Sequence, residues 1–162
     1  MKKENENNRE LKNNNERICS FYASDYHFEM ITMEYVKNMN NKNKNVVILT
    51  QDNLEESANK IVSKIDFKAD SRKKILDIDW DSKNKFKLEK IKNDANNGKN
   101  SIVFVKGEKK FVKEMDLYMN NNINMNNVEA IHCFDMAEVG ANMNDVVSNY
   151  TDVLNTSGKI KF

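Results

Sequence analysis

The chain has 162 residues, a length at which a single domain is the usual organisation. Its 26 Lys and Arg residues nearly cancel its 25 Asp and Glu residues, which argues against a strongly basic nucleic-acid binder and against an acidic solvating tail. The chain has no proline and four glycines, which excludes collagen-like chains, proline-rich linkers and designs built on glycine-rich loops.

The first 16 residues are polar, and Leu11 is their one branched or aromatic apolar side chain. Such a segment cannot bury enough surface to offset its ordering entropy, so we predict a disordered or frayed tail over residues 1–16 and a single domain over residues 17–162. No run has the apolar length of a signal peptide or of a bilayer span, which takes roughly 20 residues. Cys19 and Cys133 lie far apart in apolar runs, which indicates reduced, buried thiols in a cytoplasmic protein with no membrane partner.

Short apolar runs follow one another along the rest of the chain. They are four to six residues long and rich in β-branched and aromatic residues, which favours strands over buried helices. They are apolar throughout rather than alternating, as in a parallel sheet that is covered on both faces. The predicted strands are Ile18–Ala23, Val46–Thr50, Ile75–Trp80, Ser101–Val105 and Ala130–Phe134, with a short edge strand at Lys159–Phe162.

Segments of helical period separate these runs. The first predicted helix begins near Ser24 or Asp25. The second follows Asp52–Glu55, which is spaced like a capping box with Asp52 as the cap, and the third ends before Gly98, where a C-terminal cap prefers glycine. The apolar stripes of the predicted helices are Phe28–Met39, Leu54–Ile65, Leu88–Ala95, Phe111–Met119 and Met143–Leu154.

Alternating strands and helices are typical of a parallel sheet with helices on both faces. We therefore predict a three-layer α/β/α domain of Rossmann-like or RecA-like type, with a mostly parallel five-stranded sheet and a sixth short edge strand. The strand orders 3-2-1-4-5 and 2-1-3-4-5 both fit the sequence.

Ligands of open α/β sheets bind beyond the carboxyl ends of the strands. No phosphate-binding loop follows the first predicted strand, because Ala23, Ser24 and Asp25 stand where glycines would let backbone amides approach a phosphate. We therefore predict no cofactor. Trp80, beside two aspartates at a strand end, either lines a pocket or packs against the next helix. The predicted ligand-binding residues are Tyr22, Ser24, Asp25, His27, Asp52, Trp80, Lys106 and Asp135.

The run Asp77–Asp81 carries alternate carboxylates, which are ligands that Mg²⁺ prefers. An alternative function is thus a small divalent-metal enzyme that uses Asp25, Asp79, Asp81 and Asp135, with Asp79 and Asp81 as the metal ligands. The structural interpretation of the same run is a strand with a solvent-facing polar side, in which Asp81 or its neighbour caps the following helix.

Two further features are predicted to be structural. His132 lies in an apolar strand beside Cys133, and it is predicted to be a core or sheet-face histidine. A nucleophile pair of Cys133 and His132 is disfavoured, because adjacent strand residues point to opposite faces. The lysines of Lys83–Lys92 are predicted to form a solvated helix face, so nucleic acid is not an expected partner.

Four segments follow one another along the chain: Ile18–Tyr22, a helix with Phe28 and Val36, then Val46–Thr50 and Ile75–Trp80. Together they resemble the start of a MEDS-type sensory domain. That family is similar to a degenerate RecA-like nucleotide-binding fold. The resemblance implies sensing or regulation rather than catalysis.

The α/β frame, the missing phosphate loop and this resemblance lead to one main hypothesis. The chain is predicted to be a non-catalytic regulatory domain that senses a small molecule. The metal-dependent enzyme is the first alternative. A homodimeric interaction module, which pairs through an exposed sheet edge or helix face, is the second.

Overall fold

The computed structural model describes residues 16–39 and 43–162, so the predicted tail over residues 1–16 lies outside it except for Glu16. The strands are β1 (Ile18–Tyr22), β2 (Asn45–Thr50), β3 (Ser101–Gly107), β4 (Val128–Asp135), β5 (Asp152–Asn155) and β6 (Gly158–Lys161). The helices are α1 (Asp25–Asn38), α2 (Glu55–Lys64), α3 (Ala69–Leu76), α4 (Asn84–Asn96), α5 (Lys109–Asn122), α6 (Met136–Val139) and α7 (Met143–Val147). Short 3₁₀ turns lie at Met125–Asn127 and Gly140–Asn142.

The strands form a six-stranded sheet in the order β2-β3-β4-β1-β5-β6. Every neighbouring pair is parallel except β5 and β6, which are antiparallel. This arrangement confirms the predicted α/β class with a mostly parallel sheet, and β6 confirms the predicted edge strand. Neither predicted strand order is found.

Helices cover both faces of the sheet, which makes three layers. The buried residues of α1, α2 and α3, such as Phe28 and Ile75, pack on one face. Those of α4, α5, α6 and α7, such as Leu88 and Val112, pack on the other. In the described ranges 16–39 and 43–162, no helix is both long enough and apolar enough to cross a bilayer.

The predicted third strand is wrong. Ile75 lies in the last turn of α3. The chain from Asp77 to Trp80 is irregular and pairs with no strand of the sheet. Ile75, Ile78 and Trp80 are nonetheless buried among the side chains of α1 and α2. The apolar residues therefore belong to the helical layer, where β-branched and aromatic side chains fill space as well as they do in a strand.

The predicted last helix is also too long. It ends at Val147, and the apolar residues Val153 and Leu154 belong instead to β5, which runs parallel to β1. The helical spacing of the apolar residues there arises from a short helix followed by a strand. As a result, β5 rather than Ile75–Trp80 is the fifth parallel strand of the sheet.

The ends of two helices show how local chemistry sets their limits. The predicted Asp52 cap of α2 is wrong: Asn53 Oδ1 accepts the hydrogen bond from the Glu55 N–H at 2.9 Å, while Asp52 N–H donates to Thr50 Oγ1. Gly98 does follow α4 as predicted, with a φ of 74°, a left-handed conformation that glycine adopts without steric cost.

The strand order places a topological switch point between β1 and β4. The chain leaves β1 toward the β2 edge of the sheet and leaves β4 toward β5 on the other side, although β1 and β4 are neighbours. Their carboxyl ends meet where Tyr22 is opposite Asp135. This is the position at which open α/β sheets bind ligands.

Candidate functional site

A buried lysine lies at the carboxyl ends of the strands. Lys106, near the end of β3, is 2% exposed, and its Nζ pairs with Asp25 Oδ1 at 2.9 Å. The ammonium group also lies 4.7 Å from the centre of the Tyr22 ring and 5.6 Å from that of Phe28. An ammonium over aromatic faces gains cation–π attraction, which partly replaces the water it has lost.

Polar side chains in the turn after β1 accept hydrogen bonds from backbone amides of the same turn. Ser24 caps α1, because its hydroxyl accepts the hydrogen bond from the His27 N–H at 3.1 Å. His27 Nδ1 in turn accepts from the Ala23 N–H at 2.9 Å. The turn is therefore ordered by its own side chains, in the place where a phosphate-binding fold would offer these amides to a ligand.

A second carboxyl group is buried beneath this turn. Glu29 of α1 is 0% exposed, and its Oε2 accepts a hydrogen bond from the Ser57 hydroxyl. Its Oε1 has no hydrogen-bond partner among the described residues. Burial raises the pKa of Glu29, and the Ser57 hydrogen bond counteracts part of that rise.

The segment with Asp79 and Asp81 is tied to the sheet by a buried lysine. Lys87 Nζ donates to the carbonyls of Ile48 at 2.7 Å and Asp79 at 3.0 Å, and it also donates to the Asp81 carbonyl. The Asp81 carboxylate lies 3.3 Å from the same ammonium. Burial alone would raise the pKa of Asp81, but the Lys83 N–H and the Lys87 charge outweigh it and lower the pKa.

The remaining predicted ligand-binding residues lie apart from one another. Trp80 is 4% exposed and packs in the core, and its carbonyl accepts from the Leu54 N–H. Asp135 caps α6 by accepting from the Ala137 N–H at 2.9 Å. Asp52 is exposed beside Thr50. Of the predicted set, the structure thus gathers Tyr22, Asp25 and Lys106, with Asp135 also near the Tyr22 ring.

The carboxylates of the metal-enzyme alternative do not form a common cluster. Within the described part of the chain, no group of three or more His, Cys, Asp or Glu residues is arranged to hold a metal ion. Asp25 is paired with Lys106, and Asp81 is paired with Lys87. Each of these carboxylates therefore already has a cationic partner from the chain itself.

A cavity of about 640 Å³, the amino-end cavity, lies at the opposite end of the strands, where β1, β3 and β4 begin. Its volume is within the range of roughly 300–1,000 Å³ that is usual for small-molecule sites. The structure therefore separates two features that the sequence placed together: the switch point, with its ion pair, and an open cavity. Among the residues that line the cavity are Arg17, Ser101, Asp116, Ala130, His132 and Tyr150.

Asp116, His132 and Tyr150 form a chain of polar groups in this cavity. His132 Nδ1 lies 2.7 Å from the Tyr150 hydroxyl, and His132 Nε2 lies 3.2 Å from Asp116 Oδ1. Each ring nitrogen of His132 therefore faces a polar group. The nearby His132 ring lowers the pKa of Asp116, whereas burial raises the pKa of Tyr150 to about 12.

A buried hydroxyl without a partner lies beside this cavity. Ser101, at the start of β3, is 2% exposed, and its Oγ has no hydrogen-bond partner within residues 16–39 and 43–162. Buried polar atoms are nearly always hydrogen-bonded, since leaving one unpaired costs about 1–3 kcal/mol. The Ser101 hydroxyl is such an unpaired group at the start of β3.

The sequence does not predict this cavity, because its lining residues come from segments that lie far apart in the chain. His132 was correctly predicted to lie on a sheet face, where it is 5% exposed. The pattern predicts that its partners Asp116 and Tyr150 lie on amphipathic helices, and nothing in it predicts their contact with His132. A histidine within an apolar run was the one available signal, since a buried imidazole needs a partner for each ring nitrogen.

Neither a scan against protein-family models nor a search of curated proteins finds a match to this chain. The resemblance to MEDS-type sensory domains therefore stays a prediction from the sequence. A functional proposal therefore depends on the residues at the carboxyl and amino ends of the strands.

Proposed function

We propose that the chain is a non-catalytic regulatory domain that senses a small molecule bound in the amino-end cavity. The observation that carries this proposal is the cavity of about 640 Å³ at the amino ends of the strands, whose lining includes the polar side chains of Arg17, Asp116 and Tyr150.

Three further observations support a sensing role. The switch point carries an internal ion pair, Lys106–Asp25, where an enzyme of this fold class would hold its substrate. The resemblance to MEDS-type domains points to regulation. The buried free thiols of Cys19 and Cys133 support a location in a reducing compartment such as the cytoplasm.

The experiment uses a substitution that fills the cavity. Ala130, on β4 beside His132, lines the cavity and is partly exposed, so Ala130→Leu places a larger side chain in open space. Ala137→Leu is the matched control, because Ala137 is exposed at the carboxyl ends of the strands. Native mass spectrometry of each protein, purified from cells without denaturation, measures the bound molecules.

We expect the unaltered protein and Ala137→Leu to carry the same small molecule, one per chain, and Ala130→Leu to lose it at unchanged circular dichroism. If Ala130→Leu keeps its ligand, or if the unaltered protein carries none and no small molecule of a metabolite library raises its melting temperature, the proposal is wrong.

The carboxyl-end residues remain a second candidate position for the ligand. The favouring observation is the exposure of Asp25, whose side chain is 52% exposed while its partner Lys106 is buried. A ligand carboxylate that displaced Asp25 would meet a preformed ammonium held by Tyr22 and Phe28. Retention of the ligand by Ala130→Leu together with its loss in Asp25→Asn would place it there.

A homodimer is a second candidate function, favoured by the edge strand β6. Ile160 is 52% exposed and Phe162 is 60% exposed, and the outer side of β6 pairs with no other described strand. Exposed apolar edge strands are templates for pairing with a second chain. Light scattering should find a dimer that Ile160→Lys converts to a monomer; a monomer at high concentration would rule this function out.

A further inference from the structure

We infer that the amino-end cavity binds a free α-amino acid, whose carboxylate pairs with Arg17 and whose ammonium group pairs with Asp116. This inference rests on the proposed function and names the class of its ligand. It follows from the pairing of the charges that line the cavity, which leaves one cation and one anion without an ionic partner.

Four of the six charged side chains in the lining neutralise one another. Three are cationic, from Arg17 and two lysines, and three are anionic, from Asp116 and two glutamates. Arg17 and Asp116 are the two that remain: among the described residues, neither has an Asp, Glu, Lys or Arg of opposite charge within the roughly 4 Å of an ion pair. The lysines and glutamates pair as Lys44 with Glu129 and Lys159 with Glu16.

Arg17 is an exposed residue of the lining that is suited to a carboxylate. Its backbone N–H donates to Thr151 Oγ1 at 2.9 Å, and its guanidinium carbon lies 5.4 Å from the centre of the Tyr150 ring. The backbone and the head of the side chain are thus both held against the segment that precedes β5. A guanidinium presents its N–H donors in a planar fork that matches the two oxygens of a carboxylate.

Asp116 is a carboxylate of the same lining that a ligand can reach, because its side chain is 27% exposed. Its Oδ1 lies 3.2 Å from His132 Nε2 and accepts a hydrogen bond from the Asn120 side-chain amide at 3.1 Å. Within the described part of the chain, both contacts fall on Oδ1. Oδ2 is therefore left to accept a hydrogen bond from an ammonium group, which would be charge-assisted.

Together the two charges select a ligand that carries both signs. The His132 ring lowers the pKa of Asp116, and so does the charge of Arg17, which therefore lies within electrostatic range of the carboxylate. Asp116 would repel a purely anionic ligand from Arg17, and Arg17 would repel a purely cationic ligand from Asp116. A neutral ligand would displace water from both charges without replacing it. An α-amino acid carries an ammonium group and a carboxylate on one carbon atom, so it compensates both charges.

The test is calorimetric titration of the full chain with each standard amino acid. Every amino acid that binds is then compared with its N-acetyl derivative, which lacks the ammonium group, and with its amide, which lacks the carboxylate. We expect at least one amino acid to bind with one site per chain and both of its derivatives to bind at least about tenfold more weakly, a difference of about 1.4 kcal/mol. The inference is overturned if no amino acid binds at millimolar concentration or if either derivative falls short of this tenfold loss.

Two variants assign the two charges. Asp116→Asn should weaken binding of the amino acid about tenfold but should not weaken binding of its N-acetyl derivative. Arg17→Gln should likewise weaken binding of the amino acid but not of its amide. Asp66→Asn and Arg72→Gln, at exposed positions outside the lining, are the matched controls and should leave every affinity unchanged. A cavity variant that changes the affinities for the amino acid and the named derivative by the same factor would contradict its assignment.

Failure of this inference is distinguishable from failure of the proposed function. If amino acids do not bind but Ala130→Leu still removes a different small molecule carried from cells, only the ligand class is wrong. If Ala130→Leu also leaves the bound molecule in place, the cavity is not the sensing site and both fall.

Discussion

Lys106 and Asp25 form an ion pair with unequal access to water: the lysine side chain is 2% exposed and the aspartate 52%. If the pair is broken, water can hydrate the exposed Asp25 carboxylate, but it cannot reach the buried Lys106 ammonium. The two halves of the pair therefore differ in what their removal costs, because an isolated buried charge is much less favourable than an isolated surface charge.

We predict that Asp25→Asn lowers the free energy of unfolding by about 1–2 kcal/mol and Lys106→Met by less than about 1 kcal/mol. Asp25→Asn leaves a buried ammonium without its carboxylate, whereas Lys106→Met keeps the side-chain length and removes the charge. Urea denaturation measures both. Asp145→Asn, which alters an exposed first-turn aspartate of α7, controls for the helix dipole. A larger loss from Lys106→Met than from Asp25→Asn would contradict the prediction.

Lys87→Met should be among the more damaging lysine substitutions. It removes the donor for the carbonyls of Ile48, Asp79 and Asp81 and leaves them without the ammonium. We expect a loss of about 2–4 kcal/mol in the free energy of unfolding, measured in urea. Lys90→Met, at an exposed position of the same helix, is the control and should change stability by less than about 0.5 kcal/mol.

Glu29 should make the protein less stable as pH rises. Its folded-state pKa is raised above the ordinary value of 4.5, so its contribution is fully present below pH 4.5 and is lost as pH increases through the raised pKa. Glu29→Gln mimics the protonated form and should remove this decline, which melting temperatures from pH 4 to pH 8 would show. The exposed Glu89→Gln should leave the decline in place.

Asp116 should have the opposite effect on the pH profile. Its folded-state pKa lies below the ordinary 3.8, so its contribution is present above pH 3.8 and is lost as pH falls through the lowered pKa. Asp116→Asn should therefore cost about 1 kcal/mol at neutral pH and progressively less in acid. Urea denaturation at several pH values measures the difference; a cost that stays constant down to pH 2 would count against this assignment.

Much of the fold could be predicted from local pattern. The segments of β1, β2, β3 and β4 have an apolar run of strand length, and the helices α1, α2, α4 and α5 have long apolar stripes. These features are set by residues near one another in the chain. Two apolar segments, Ile75–Trp80 and Met143–Leu154, are assigned wrongly, because an apolar run has the same local signature in a helix and in a strand and tertiary packing decides between them.

The candidate site was less predictable for the same reason. Lys106 lies near the carboxyl end of β3 and Asp25 follows β1, and these two strand ends lie on the same side of the sheet, so their proximity follows from the class of fold. His132, Asp116 and Tyr150 meet because β5 runs beside β1 and brings the chain before it to the amino edge. Because the sequence pattern predicts a helix over the β5 segment, it does not predict that these three side chains come together. Lys87 was likewise expected on a solvated helix face and is instead 8% exposed.

The position of β1 has a consequence for how the chain reaches its native state. Ile18 pairs with Ile131 on one side and with Asp152 on the other, so both neighbours of this early strand come from the last third of the chain. During synthesis β1 must wait, without a partner, until most of the protein has left the ribosome. Such high contact order implies slow folding, and nascent chains that stop before β4 would leave an apolar strand open to chaperones and to aggregation.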